Sequence, residues 1–597
     1  MFTEKIKSFV LIDFEFDTKP GELPNPLCMV AKNLQTGEER RLWTDELVSL
    51  GACPFPTDKA TVYVAYYSSA EWNCFLKLGW PLPESVLDLY VEYKCLNNGK
   101  PRNGVGYGLL AALNEYQIES IGAAEKKAMR ELVLRGGPYS ESEKKALLDY
   151  CASDVYALEK LLPKILPAIS LDHALLRGRY MKAVAHMEHI GVPIDLVSLG
   201  KIKENFENIK ANLIERIDQE YGVYEGGSFR YERFAKYLAK NEISWPRLET
   251  GRLDLSTETF KDMSHSFPSL QSLQELRQTL SQLRLNKLEV GEDGRNRCLL
   301  SPFQSKTGRN QPSNSKHIFG GAKWTRGLIQ AKHNWAVAYI DFAQQEFGIG
   351  AALSGDEKMI EAYQSGDPYL AFAKQAGAAP IDANKESHGK IREQYKSCVL
   401  AVQYGMGAQS LAFRIGQSTS VARQLLHLHR KTYPGFWKWS DGVVDHVMLT
   451  GCIQTTFGWK HSIDVGPNAR SIRNFPMQAN GAEILRLTCI SATESGINVC
   501  APIHDALLIE APETEIEAAV LATQSIMAQA SAVVLNGFIL KSDAEIFRHP
   551  NRLLSHQSRK MWDTVWAIID DFECCNPATS VLQRSNVDGS TAHTRSI

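Results

Sequence analysis

The chain has no excess of charge of either sign: 66 lysines and arginines stand against 68 aspartates and glutamates in 597 residues. That balance excludes a uniformly basic coat, so any polyanion site must be a local patch. No apolar run approaches the ~18 residues of a membrane-spanning helix. The opening MFTEKIKSFVLIDFEFD lacks the layout of a secretory signal, because acids interrupt the apolar run at once. None of the twelve cysteines stands in a CxxC pair, which argues against a zinc ribbon or a disulfide framework and for reduced thiols in a cytosol. Internal repeats are lacking too. Composition is otherwise ordinary, 44% hydrophobic and 22% charged, and the length fits about three to five domains.

The first ~170 residues alternate strand-like and helix-like stretches, an α/β pattern. Residues 8–14 (SFVLIDF) and 60–67 (ATVYVAYY) read as buried strands, and residues 140–165 as a helix. Residues 171–288 read as mostly helical, with breaks at GVPID (191–195) and around 245–251. Residues 277–332 carry eleven lysines or arginines against three acids, the best candidate for a phosphate-facing surface. A strand follows at 336–342, helices fill 358–446, and strand-like runs at 451–457 and 499–509 flank a helix from Gln478 onward. The polar tail 576–597 is expected to be disordered.

Two carboxylate sets stand out. Asp13 and Glu15 lie at i and i+2 on a strand, on one face. Tyr150 and Asp154 lie at i and i+4 on a helix, also on one face. Two divalent metals about 4 Å apart need oxygen ligands from several elements, and this set offers three carboxylates and a phenol. A DxE alone says little; its pairing with a distant YxxxD says more. The set resembles that of the DEDD-type 3′–5′ exonucleases in their tyrosine-bearing form. The family's middle motif, usually Asn-x-x-x-Asp, matches Tyr67 and Glu71 here, and Asp88 is a secondary candidate acid.

The second set is Asp341, ending the strand in YIDFAQQEF, and Asp505 in PIHDALLIE. Taken singly, either acid could simply cap a following helix. Between them Arg392, Lys396, Leu400 and Tyr404 recur every four residues, within one broad helix face about 6 Å apart along the axis. Two cations one turn apart suit neighbouring phosphates.

In that order these elements resemble a family A DNA polymerase, of the Klenow kind and in a phage-like form. D-Y-S-Q-I-E corresponds to Asp341–Glu346, R-x-x-x-K-x-x-x-F/Y-x-x-x-Y-G to Arg392–Gly405, and V-H-D-E to Ile503–Ala506. Thr307-Gly308-Arg309 resembles the T-G-R that touches the primer minor groove. RSIRNFPMQANGAE (470–483) resembles the stretch contacting template-primer, and EHIGVPID (188–195) the entry into the polymerase domain.

The resemblance implies an α/β and α+β multidomain chain: an RNase H-like exonuclease over 1–170, then a right-hand polymerase over 171–575. The thumb would span about 200–300, the palm about 301–357 and 447–550, and the fingers about 358–446. Two Mg2+ ions per active site, or Mn2+, would be held by Asp341 and Asp505 in one site and by Asp13, Glu15, Glu71 and Asp154 in the other. Tyr150 would serve the exonuclease water. Arg392 and Lys396 would hold the triphosphate, with Lys396 the proton donor to the leaving group. Glu346, beside Tyr404, would exclude a 2′-hydroxyl, and Leu400 would lie against the nucleotide. Arg309, Arg470, Asn474, Gln478 and His504 would contact DNA. Primer-template DNA and dNTPs are the implied partners, with a helicase, primase or processivity factor unspecified. The expected form is a cytoplasmic monomer of a bacterial or phage-infected cell, without a 5′-nuclease domain.

Two departures stand out: Leu400 replaces an aromatic, and Ala506 replaces a glutamate. The competing readings are a 3′–5′ exonuclease with a degenerate polymerase half, a single-subunit RNA polymerase, disfavoured by Glu346, and a non-catalytic DNA-binding replication factor.

Overall fold

The computed structural model describes residues 6–102, 104–119, 122–282, 285–403, 405–463 and 468–575. The expected disorder of 576–597 lies outside the described residues. No described helix is long and apolar enough to cross a membrane, and the described cysteines form no disulfide.

The chain divides into two compact units. The first comprises residues up to Val192, Glu289–Ser313 and Lys332–Arg548; the second comprises Pro193–Leu288, Asn314–Ala331 and the segment from His549.

In the first unit, β1 (Ser8–Asp17) pairs antiparallel with β2 (Asn25–Asn33), which pairs antiparallel with β3 (Glu39–Trp43). On its other edge β1 runs parallel to β4 (Thr61–Ala65), and β4 parallel to β5 (Ser85–Asp88). The strand order is β3-β2-β1-β4-β5. Alternation along β1 sends Val10, Ile12 and Phe14 into one core with Trp72 and Phe75 of α1 (Ser69–Leu78). Leu11 enters another. The helices α2 (Leu89–Asn97), α3 (Ala123–Arg135) and α4 (Glu141–Ile165) follow. Leu147, Cys151 and Leu158 of α4 cover the Leu11 face. Ser140 starts α4 through a capping box with Glu143.

No division falls at the expected boundary near 170. The next helix, α5 (Leu171–Ile190), packs on α1 and β5 and also on later elements of the same unit. It approaches β5 so closely that Gly178 has no room for a Cβ beside the Val86 carbonyl.

Those later elements are β6 (Trp335–Phe342), α6 (Gln345–Ser354), α7 (Gly389–Gln403), the hairpin β7 (Cys452–Gln454) and β8 (Lys460–Ser462), α8 (Ala469–Glu494), β9 (Asn498–Ile503), β10 (Ala506–Pro512) and β11 (Ser542–Arg548). An antiparallel sheet of order β9-β10-β6-β11 forms the floor of this region. Two sequence expectations change here. The run 499–509 is not one strand, because the chain turns at His504 and Asp505, with His504 in the left-handed region at φ 55°. The helix expected from Gln478 begins at Ala469, capped by Asn468, and runs through Pro476. Proline removes one ladder bond there, and buried Ile472, Phe475 and Met477 hold the segment in place.

The second unit is helical, with helices Phe206–Tyr221, Tyr231–Lys240, Thr257–Ser266, Gln271–Gln282 and His556–Cys575 among its elements. Phe229, Phe234, Trp245 and Phe260 form an aromatic cluster. The Arg277 guanidinium lies 4.1 Å from the Phe229 ring centre and 4.2 Å from that of Phe260. The basic stretch 277–332 is therefore no single surface. It is divided between the units, and several of its cations already have partners: Arg277 these rings, Arg295 Glu510 at 2.9 Å, and Arg297 Asp293 at 2.6 Å.

Candidate active sites

The amino-terminal set gathers around β1. Asp13 and Glu15 on β1, Glu71 on α1, and Tyr150 and Asp154 on α4 influence one another electrostatically. Burial first, and then the neighbouring acids, push Asp13, Glu15 and Glu71 well above the usual carboxylate range. Burial likewise raises the Tyr150 phenol. Two buried oxygens, Asp13 Oδ2 and Glu71 Oε2, have no hydrogen-bond partner. Buried acceptors without donors fit a cation.

One member of this site was not foreseen. Lys126 of α3 pairs with Asp154 at 2.8 Å, and its ammonium lies 5.7 Å from the centre of the Tyr150 ring. The ammonium supplies positive charge where the acids are densest. Nothing local marks Lys126 out: it is one cation of an ordinary amphipathic helix. Asp88, the secondary candidate, does structural work. Its carboxylate accepts from the backbone N–H groups of Tyr67, Ser68, Tyr90 and Val91 and from the Ser68 hydroxyl. It caps α2 and pins the start of α1.

In the second site, β6 delivers Asp341 and the β9–β10 turn delivers Asp505. The Phe342 N–H donates to the Asp505 carbonyl at 3.2 Å. Gln344 (φ 44°) and His504 (φ 55°) place left-handed, non-glycine backbone on both sides of the pair, at a cost of about 1–3 kcal/mol each. Burial and the neighbouring Asp505 raise Asp341, and burial raises Asp505. Asp341 Oδ1 is buried without a partner, which again fits a cation.

The register adds an acid that sequence reading missed. Asp341 lies opposite Ala506 on β10 and opposite Asp543 on β11. Directly opposed residues share a sheet face. The carboxylate absent from one neighbouring strand is thus present on the other. Only long-range strand register shows this. Among the described residues, no three or more His, Cys, Asp or Glu side chains are gathered closely enough to hold a metal ion as they stand.

The other expected residues fall into two groups. Arg309 pairs with Glu346 at 3.3 Å, and its charge opposes the rise that burial gives the Asp505 carboxyl, so it belongs beside the acids. On α7, Arg392 donates to Asp367 at 2.5 Å and to Glu393 at 2.7 Å, while Lys396 lies 3.7 Å from Glu393. Leu400 is half-buried on the same helix. Tyr404 lies outside the described residues. Arg470, Asn474 and Gln478 follow one face of α8 at four-residue spacing, Asn474 with an unpartnered Oδ1. His504 is exposed at its turn. A cavity of about 420 Å³ beside these helices is lined by Trp437, Arg430, Arg470 and Arg473, among others.

The chain is similar to several known proteins. Residues 306–546 match the family model described as DNA polymerase family A. The chain is 24% identical over 441 residues to DNA polymerase I of Chloroflexus aurantiacus, across 67% of this chain and 46% of that one. It is 25% identical over 330 residues to the DNA polymerase of Mycobacterium phage L5, across 54% and 52%. The match thus spans about half the length of these curated relatives. Among solved structures, the POL domain of Pol1 from M. smegmatis, in complex with DNA primer-template and dNTP, superposes with a TM-score of 0.69 at 19% identity, over 92% of this chain and 96% of that one. The fold is therefore similar to that of this POL domain, and the segment 306–546 is similar to the DNA polymerase family A model.

Proposed function

We propose that the chain is a template-directed DNA polymerase that adds dNTPs to a primer 3′-hydroxyl. The observation that carries the reading is the Asp341–Asp505 pair, held between two left-handed residues with a buried oxygen lacking a donor. Asp341 and Asp505 would hold divalent cations, with Asp543 completing the set in place of the missing acid at 506. Cations bound there supply charge neutralisation at the attacking and leaving oxygens.

The chain's own residues do the rest by positioning. Arg392 and Lys396 release their internal carboxylates and take the triphosphate, and Lys396 is placed to protonate the leaving group. Glu346, held by Arg309, closes the space next to the sugar and selects dNTP over NTP. Arg309, Arg470, Asn474 and Gln478 meet acceptors common to all correct pairs in the minor groove, and His504 supports the primer end. Trp437 with its neighbouring arginines suits a stacked template base.

A second activity in the same chain is favoured by the convergence of Asp13, Glu15, Glu71, Asp154 and Tyr150: 3′–5′ hydrolysis of a frayed primer end. There Tyr150 orients water, and the acids hold the cations.

Extension of a labelled primer-template with Mg2+ and dNTPs tests both. Template-length product is expected from the wild type and not from Asp341→Ala. Primer shortening without dNTPs is expected from the wild type and not from Asp13→Ala/Glu15→Ala. Shortening without any extension would overturn the polymerase reading.

A further inference from the structure

The loop that carries Arg309 is not held by the polymerase segment alone. At the end of α2, the buried Asn98 amide donates to the Lys306 carbonyl and to the Lys460 carbonyl, each at 2.8 Å. The Ser462 N–H donates back to the Asn98 carbonyl at 2.8 Å. Gly99 follows at φ 85°, with no space for a Cβ against Ser462 and the His461 ring. The turn Asn97–Gly99 is thus fitted onto β8.

Each contact leads to a DNA-facing residue. The Lys306 carbonyl also accepts from the Trp459 indole at 2.9 Å, and the Gly308 carbonyl accepts from Arg486 at 2.7 Å. The Thr307–Arg309 turn therefore hangs from fixed points on both sides, one of them Asn98. On β8, His461 stacks on Phe475, with ring centres 5.5 Å apart and planes at 21°. Phe475 adjoins Asn474 on α8. One primary amide, bridging two carbonyls, joins the loop of Arg309 to the hairpin that packs on Phe475, the neighbour of Asn474 along α8. Only a group with two N–H donors on one nitrogen can make this bridge.

We propose that Asn98 is a positioning residue for primer-template DNA: it fixes Arg309 and Asn474 relative to each other, so duplex affinity depends on a residue outside the 306–546 segment. The proposal rests on the polymerase reading and goes beyond it, since the partners of Asn98 are backbone groups of Lys306, Lys460 and Ser462, not the acids.

The test is the full chain with Asn98→Asp, which keeps size but sets carboxylate oxygens against two carbonyls, and Asn98→Ser, which keeps one donor. For Asn98→Asp, KM for primer-template is expected to rise about tenfold, with kcat and KM for dNTP within about twofold. Asn98→Ser should fall between Asn98→Asp and wild type. Fluorescence anisotropy of a labelled primer-template duplex should show the same order without turnover, and hydrolysis of a single-stranded oligonucleotide should be unchanged. Unchanged duplex affinity in both variants overturns the proposal. So does a parallel loss of kcat, dNTP affinity and single-strand hydrolysis in Asn98→Ser, which marks general damage. A wild type that binds duplex but extends nothing defeats the polymerase reading instead, and anisotropy still decides the role of Asn98.

Discussion

The two acidic sites solve one electrostatic problem differently. At the amino-terminal site, acids from β1, α1 and α4 are enclosed together with a lysine, and Asp154 is already neutralised by Lys126 at 2.8 Å. At the second site the acids sit in adjoining strands and a turn with Arg309 beside them, while Arg392 and Lys396 stand on a separate helix with their own partners, Asp367 and Glu393. The first site carries its lysine among the acids; at the second, two of the three cations stand on a helix apart from them. Burying several carboxylates together is costly unless a proton or a counter-charge offsets it.

The largest effect that would separate the sites is loss of one without the other. Asp505→Ala should lower primer extension by at least about a hundredfold while single-strand shortening persists. Asp13→Ala/Glu15→Ala should do the reverse. Gel assays of both variants on both substrates check this, and a variant that loses both activities would break the separation.

Next comes proton release. Asp13, Glu15, Glu71 and Asp341 have raised affinities for protons in the cation-free protein. Cation binding must displace those protons, so apparent Mg2+ or Mn2+ affinity should rise with pH, by about tenfold per unit for each proton released. Calorimetry in buffers of different ionisation enthalpy counts the protons. No release would mean the acids are already ionised.

A smaller effect tests the counter-charge itself. Lys126→Met should lower the thermal midpoint in chelator by about one degree, about 1 kcal/mol. Excess Mg2+ should restore it, because the cation replaces the lost ammonium. A deficit that Mg2+ leaves untouched would show that Lys126 serves packing alone.

The smallest expected effect concerns the strand row Ala506–Asp341–Asp543. Asp543→Ala should reduce extension about three- to tenfold and weaken Mn2+ binding measured by electron paramagnetic resonance. Ala506→Glu should change little by itself and should compensate in the double variant. Independent effects of the two changes would remove Asp543 from the metal set.

Much of this was readable in the sequence, because the signals were local. SFVLIDF spaces its apolar residues for a strand between two cores, and the Arg392–Lys396–Leu400 spacing marks a helix face. The misses involve distant partners or unusual backbone. His504 turns the chain with no glycine, asparagine or proline to announce it. Pro476 reads as a stop, yet the helix passes through it because its neighbours are buried. Lys126 and Asp543 acquire meaning only when α3 meets α4 and β11 pairs with β6. The basic run 277–332 looks continuous only along the chain; folding divides it and neutralises part of it.

Arg392 already has an anion in hand. Asp367, which also caps the helix that follows it, occupies the guanidinium at 2.5 Å before any nucleotide arrives. An incoming ligand competes for this cation with a resident carboxylate, so its observed affinity is the difference between two ion pairs. A single negative charge would merely match Asp367. Under the proposed polymerase reading a triphosphate exceeds it, and the helix would then favour ligands that carry more phosphates.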